Sequence, residues 1–236
     1  MSPQAHAILE LLDRVDAQRA RRAADAELAA RVLALKDYQH QRFQHTYADL
    51  LAQPRYVAAT GFFLEELYGP EDFTRRDTQF RRVVPALVRL FPHEVVLTVQ
   101  TLGELHALSE ELDSEMGLAV PRLPVALDGY VQAWQQVGQP LERRRQITLM
   151  RRVADALDAY TRNPLLRHSL RLMRGPARVA GLETLHRFLE RGFDTFAALR
   201  EPQRFLDTIA ARERALAAQL FSARPQPPDL PTARSA

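Results

Sequence analysis

Apolar residues recur along this chain three and four positions apart, the period of a helix buried on one face. The strict alternation that marks a strand is nearly absent. The spacing predicts helices near residues 4–20, 24–52, 54–68, 77–90, 93–117, 124–137, 140–161, 164–173, 181–199 and 202–221. Pro54 and Pro92 suit a first helical turn, where a missing N–H costs nothing. Gly69-Pro70 and Gly138-Gln139-Pro140 end helices, and Gly175-Pro176 interrupts the late region. Asp77 and Asn163 are placed to cap the helices that follow them. Pro85 falls inside its segment and predicts a kink or a split there. The pattern reads as an all-α fold, a multi-helix bundle of about nine or ten helices in one globular domain.

Composition refines this only a little. The chain has 236 residues, 46% hydrophobic and 26% charged, with nine glycines. That balance builds a packed core. Residues 1–22, where Arg19, Arg21 and Arg22 break the apolar pattern, are expected as a loosely attached N-terminal helix. Residues 23–222 form the all-helical domain. Residues 223–236, with Pro225, Pro227, Pro228 and Pro231, are expected as a disordered tail. The absence of cysteine excludes disulfides, thiolate metal sites and cysteine nucleophiles, and it fits a reducing cytoplasm. No apolar run is long enough to span a bilayer, and the first residues lack a signal-peptide pattern, so no membrane role is expected. Thirty-two basic residues face 29 acidic ones, a net charge of +3. The modest excess makes a nucleic-acid partner a poor expectation.

The densest stretch is Phe62-Phe63-Leu64-Glu65-Glu66-Leu67-Tyr68. At 100° per residue, Tyr56, Val57, Thr60, Phe63, Leu64, Leu67 and Tyr68 share a broad arc. Phe62 lies on the far side. A helix apolar on nearly all sides is packed by several neighbours. Glu66 lies between Phe62 and Phe63, so it should be half-buried and paired with Arg55, Arg75 or Arg76. The plain reading is an ion pair clamping the turn at Gly69. The sharper one is an acidic ligand or general base in a pocket.

Residues 93–117 carry a second polar anomaly. Val95, Val99, Leu102, Leu105 and Leu112 form an apolar face. His106 sits in its middle, Asp113 lies in line with Val95 and Leu102, and Ser109 falls between. Such groups on a core face form either a satisfied hydrogen-bond network or a ligand or proton-transfer site. Glu66, His106 and Asp113 are therefore the candidate binding residues.

Other chemical signals are weaker. Glu183-x-x-His186 matches half of a carboxylate-bridged di-metal motif, but no second copy exists, so no metal site and no cofactor are expected. No phosphate loop, nucleophile elbow or His-Glu-x-x-His occurs, so no catalytic residue is assigned. The arginine strings 143–145 with 151–152, and Arg167, Arg171, Arg174 and Arg178, read as solvated faces.

The FFLEELY heptapeptide at 62–68 stands between Arg42-Phe43 with Thr46-Tyr47-Ala48-Asp49-Leu50-Leu51 on one side and Arg76-Asp77 on the other. Leu189-Glu190-Arg191-Gly192-Phe193 and Arg212-Glu213-Arg214 follow later. In these residues the chain resembles a family of uncharacterised bacterial proteins named for an FFLEELY motif. The resemblance runs through most of the chain and implies no activity, ligand or catalytic residue.

Three functional readings follow. The leading one is a non-enzymatic cytoplasmic binding or interaction protein, regulatory or self-associating. The alternative is a small-ligand-binding or catalytic bundle with its site near Glu66, His106 and Asp113. The third is an arginine-mediated nucleic-acid binder.

Overall fold

The computed structural model describes residues 2–66 and 73–222. Among them are twelve helices and no strand: α1 (Pro3–Ala23), α2 (Ala26–Thr46), α3 (Ala48–Leu51), α4 (Val57–Glu66), α5 (Thr74–Leu90), α6 (His93–Ala119), α7 (Leu127–Val137), α8 (Pro140–Thr161), α9 (Pro164–Leu172), α10 (Arg174–Val179), α11 (Glu183–Ala198) and α12 (Pro202–Leu220). The all-α bundle read from the periodicity is the fold. Gly69-Pro70 and the expected tail 223–236 lie outside the described residues.

Local chemistry accounts for many of the ends. Ser2 Oγ accepts from Ala5 N, and Asp25 Oδ1 accepts from Glu27 N and Leu28 N. Asn163 Oδ1 accepts from Leu165 N, the cap expected of it. Pro3, Pro140, Pro164 and Pro202 occupy first turns. Several expected boundaries shift. The predicted helix 24–52 breaks at Tyr47 into α2 and α3. The segment after Pro54 makes a turn first, so α4 starts at Val57, which is exposed rather than on the apolar arc. Pro85 neither splits nor ends α5. Gly175-Pro176 sits within the short α10 instead of separating helices. Asp77 is not a cap, because α5 already starts at Thr74 and the Asp77 side chain is spent on tertiary partners.

The 27-residue α6 is the axis of the molecule, with α1, α2, α7 and α8 packed around it. Its Val96 joins a cluster with Ile8, Leu12 and Val84. Leu105, Leu108 and Leu112 join an aromatic core that includes Phe43, Tyr47, Phe62, Phe63, Phe196 and Phe205. Met116 and Ala119 join Leu35, Tyr38, Tyr130, Trp134 and Leu220. Its Ala107 joins Leu11 and Val15, so one helix ties four apolar clusters together. Its contact with α2 is close at Gly117, where a Cβ would stand 2.5 Å from Val32 Cγ2.

The expectation of a loosely attached first helix does not match this packing. Ala5, Ile8, Leu11, Leu12 and Val15 of α1 are buried against α5 and α6. The arginines that interrupt its pattern bind carboxylates: Arg19 to Asp77 and Arg22 to Glu110. Among the described residues, no helix is long and apolar enough to cross a membrane.

Candidate functional site

Steps of three and four residues place Val99, Leu102, His106, Ser109 and Asp113 on one face of α6. All five line a cavity of about 260 Å³, which also receives Glu66 from α4. The three residues singled out from the sequence therefore meet around one space. From Val99 to Asp113 the face runs about 21 Å along the helix axis. Toward Val99 the wall is apolar, built with Leu12, Phe80 and Leu87 of one packed cluster. Toward Asp113 it is ionic and aromatic, with Lys36, Glu110, Tyr130, Trp134 and Arg143.

Glu66 is half-buried, as expected. Its partners are Arg76, with Nη1 donating at 3.1 Å, and Arg191, also at 3.1 Å. Arg55 pairs elsewhere, with Glu201. The Arg76 guanidinium lies 4.0 Å over Phe73 and 4.5 Å over Phe188. Burial lowers its pKa, while Asp77 and Glu66 favour the charged form.

His106 and Asp113 do not bond to each other. Two turns separate them, and each finds a partner on another helix. His106 Nε2 lies 2.8 Å from Asp77 Oδ2, which also accepts from Arg19 Nη2 at 2.6 Å. Burial works to raise the Asp77 pKa, but His106 and Arg19 outweigh it and hold the carboxyl below its usual value. Asp113 Oδ1 accepts from Gln39 Nε2 at 3.2 Å, and Lys36 Nζ stands 3.8 Å from Oδ2. Burial pushes the Asp113 pKa up against the opposing field of Lys36.

Glu110, one turn before Asp113, behaves oppositely. Its carboxylate accepts from Arg22 and, at 2.9 Å, from Lys36. Burial works to raise its pKa, but Lys36 and Arg22 prevail and hold it at about 2. One cavity wall thus carries a firmly ionised carboxylate and one whose charge is disfavoured.

Several of these groups escaped the sequence reading. Arg42 and Glu213 form a buried pair at 2.5 Å, and Tyr47 Oη donates to Glu213 at 2.7 Å. Arg143, expected on a solvated face, is 4% exposed and lies against Trp134. The available signal was spacing, since Arg143 precedes Ile147, Met150 and Ala154 by four, seven and eleven positions on the inward stripe of α8.

The Glu183-x-x-His186 pair does not converge. His186 Nε2 lies 2.9 Å from the Leu170 carbonyl oxygen, and Glu183 pairs with Arg187. Among the described residues, no group of three histidine, aspartate or glutamate side chains is placed to hold a metal ion.

No curated protein and no solved structure matches the chain. A family defined as a domain of unknown function (DUF8198) matches residues 18–227, from the end of α1 through α12. That span takes in α2 and α4 to α8, the helices that carry most of the cavity wall. The chain belongs to this family.

Proposed function

We propose that this protein is a non-enzymatic binder of a small organic molecule, acting in the cytoplasm, with the cavity along α6 as its site. The observation that carries the reading is the convergence of Glu66, His106 and Asp113 on one space with an apolar end and an ionic end. Ligand sites have this composition: mostly apolar walls with a few placed polar groups. The volume falls just below the usual range of about 300–1,000 Å³. Scaled from an apolar cavity of about 150 Å³ that holds benzene, it takes roughly ten non-hydrogen atoms.

Binding is favoured over catalysis because four of the five acids in the cavity are already engaged by cations, and the fifth, Asp113, accepts from Gln39. Glu66, Asp77, Glu110 and Glu213 each hold a cationic partner from another helix. A general base must be free to take a proton from its substrate. The heptapeptide at 62–68 supports kinship with bacterial proteins named for the FFLEELY motif, and that kinship adds no activity.

A role as an interaction protein ranks second, on one observation. Helix α9 buries no side chain, and Leu165, Leu172, Met173 and Val179 are exposed on α9, α10 and the residue between them. Nothing seated on that face identifies an occupant. Nucleic-acid binding ranks third, because Arg145, Arg151, Arg167 and Arg174 are each neutralised by a carboxylate.

Native mass spectrometry of protein purified from its own host tests the reading. A bound small molecule is expected, and Leu102→Trp, which fills the cavity, is expected to lose it. A folded protein that carries no small molecule in either form contradicts the proposal.

A further inference from the structure

The lining of the cavity holds four lysine or arginine side chains and five carboxylates. Three of the cations are committed: Lys36 to Glu110, Arg42 to Glu213 and Arg76 to Glu66. Arg143 is different. It forms no ion pair among the described residues, although burial works against its charge. Its guanidinium lies 4.0 Å over the Trp134 ring. Both Nε and Nη2 are buried and meet no hydrogen-bond partner among the described residues, and Trp134 Nε1 beside them is equally unpartnered.

The two guanidinium atoms share one edge of the group. Nε–H and Nη2–H point the same way, the fork that takes both oxygens of a planar acid. Leaving such donors buried and unmet costs free energy in the isolated protein. A ligand that supplies two acceptor oxygens there removes that cost.

Resting on the ligand-binding reading above, we infer that the cavity takes a small monocarboxylic acid. Its carboxylate is held side-on by Arg143 Nε and Nη2, and its apolar body runs along α6 toward Leu102 and Val99. Charge decides between acids. The lining already has one more carboxylate than fixed cations, so a dianionic phosphate meets more repulsion than a single carboxylate does. Shape agrees, since a cavity of this volume stretched along about 21 Å of helix suits one chain or one ring.

Trp134 is the single tryptophan of the chain, so its fluorescence reports on this site without labelling. The experiment titrates octanoate, 3-phenylpropionate, their primary amides and phenyl phosphate into the full-length protein. The expected result is a saturable change with at least one carboxylate, binding at least tenfold weaker for its amide and weaker still for phenyl phosphate. Arg143→Lys keeps the charge but loses the fork, and is expected to weaken the carboxylate at least tenfold. Arg143→Met is expected to abolish the preference over the amide while melting no lower than the parent, because it removes a buried, unmatched cation.

Equal binding of acid and amide, or unchanged acid binding by a folded Arg143→Lys, overturns the carboxylate assignment and leaves the cavity reading intact. Tighter binding of phenyl phosphate than of either carboxylate also overturns it. Failure of every probe, acid and amide alike, overturns both. An Arg143→Met protein that melts well below the parent marks Arg143 as structural and contradicts the inference; if that variant does not fold, the Arg143→Lys titration decides.

Discussion

The guanidinium of Arg143 lies 4.0 Å above the centre of the Trp134 ring, with the arginine 4% and the tryptophan 8% exposed. Stacking on an aromatic face offsets part of the cost of burying a cation. It does nothing for N–H groups in the plane of the guanidinium. The pair therefore places in the cavity lining a buried cation whose Nε and Nη2 meet no partner among the described residues, set on α7 and α8 rather than on a loop.

The aromatic core around α4 makes the first prediction. Phe63 is 2% exposed and packs on Phe196 and Phe205. Phe63→Ala should cost about 3–5 kcal/mol, the range for emptying a buried phenylalanine site. Glu65 is largely exposed and, among the described residues, pairs only with Arg191, so Glu65→Ala should be nearly neutral. A denaturant titration showing equal losses would mean that α4 is rotated from the orientation described.

Much of this was legible in the chain. The apolar period alone located most of the helices, and the polar breaks at Glu66, His106 and Asp113 marked residues that do meet at one cavity. Glu66 pairs with Arg76, one of the arginines expected of it, but the partners of His106 and Asp113 were not legible, because they come from helices distant in sequence. His106 found Asp77, twenty-nine positions away, and Asp113 found Gln39, seventy-four positions away. Arg143 was hidden by its neighbours Arg144 and Arg145, whose exposure made the whole run look like surface. The split of α2 from α3 at Tyr47 carries no glycine or proline. Its tertiary cause is the burial of the Tyr47 ring beside Phe43, with its hydroxyl on Glu213.

A double-mutant cycle separates the two networks on α6. His106 and Asp77 are bonded, so His106→Ala and Asp77→Ala should couple by about 0.5–3 kcal/mol. His106→Ala and Asp113→Ala share no direct bond and should add within about 0.5 kcal/mol. Strong coupling in the second pair would contradict the partner assignment.

The acidic limb of the stability profile should bear the mark of Glu110. Its folded pKa lies below the ordinary value of 4.5, at about 2. The stability it contributes is therefore present above the unfolded value and is lost as pH falls from about 4.5 toward 2. The shift corresponds to about 3 kcal/mol as an upper estimate. Against its burial, Lys36, Arg22 and His106 hold the carboxylate ionised, and Asp113 opposes them. Urea titrations should show the gap between the parent and Glu110→Gln narrowing over that window, and a gap independent of pH would count against the assignment. Asp113, whose pKa is raised, has the opposite sign. Its contribution is lost as pH rises, so Asp113→Asn should gain on the parent between acid and neutral pH.

Gly117 offers a test of the α2–α6 contact. A methyl group there would stand 2.5 Å from Val32 Cγ2, and Val32 is itself buried. Gly117→Ala should destabilise by about 1–3 kcal/mol despite the better helix propensity of alanine, as overpacking does. Thermal or urea unfolding reads this directly, and a more stable variant would show that the helices have room to separate.

The central claim, that the cavity along α6 is the binding site, is tested most directly by methyl NMR of the protein titrated with whichever of octanoate, 3-phenylpropionate, their primary amides and phenyl phosphate binds tightest, and with each of them where none binds. The account predicts saturable shifts at Val99, Leu102, Leu105 and Met150, with the methyls of Leu165, Leu172, Met173 and Val179 unmoved. Shifts confined to that second set, or no shifts at all, would contradict it.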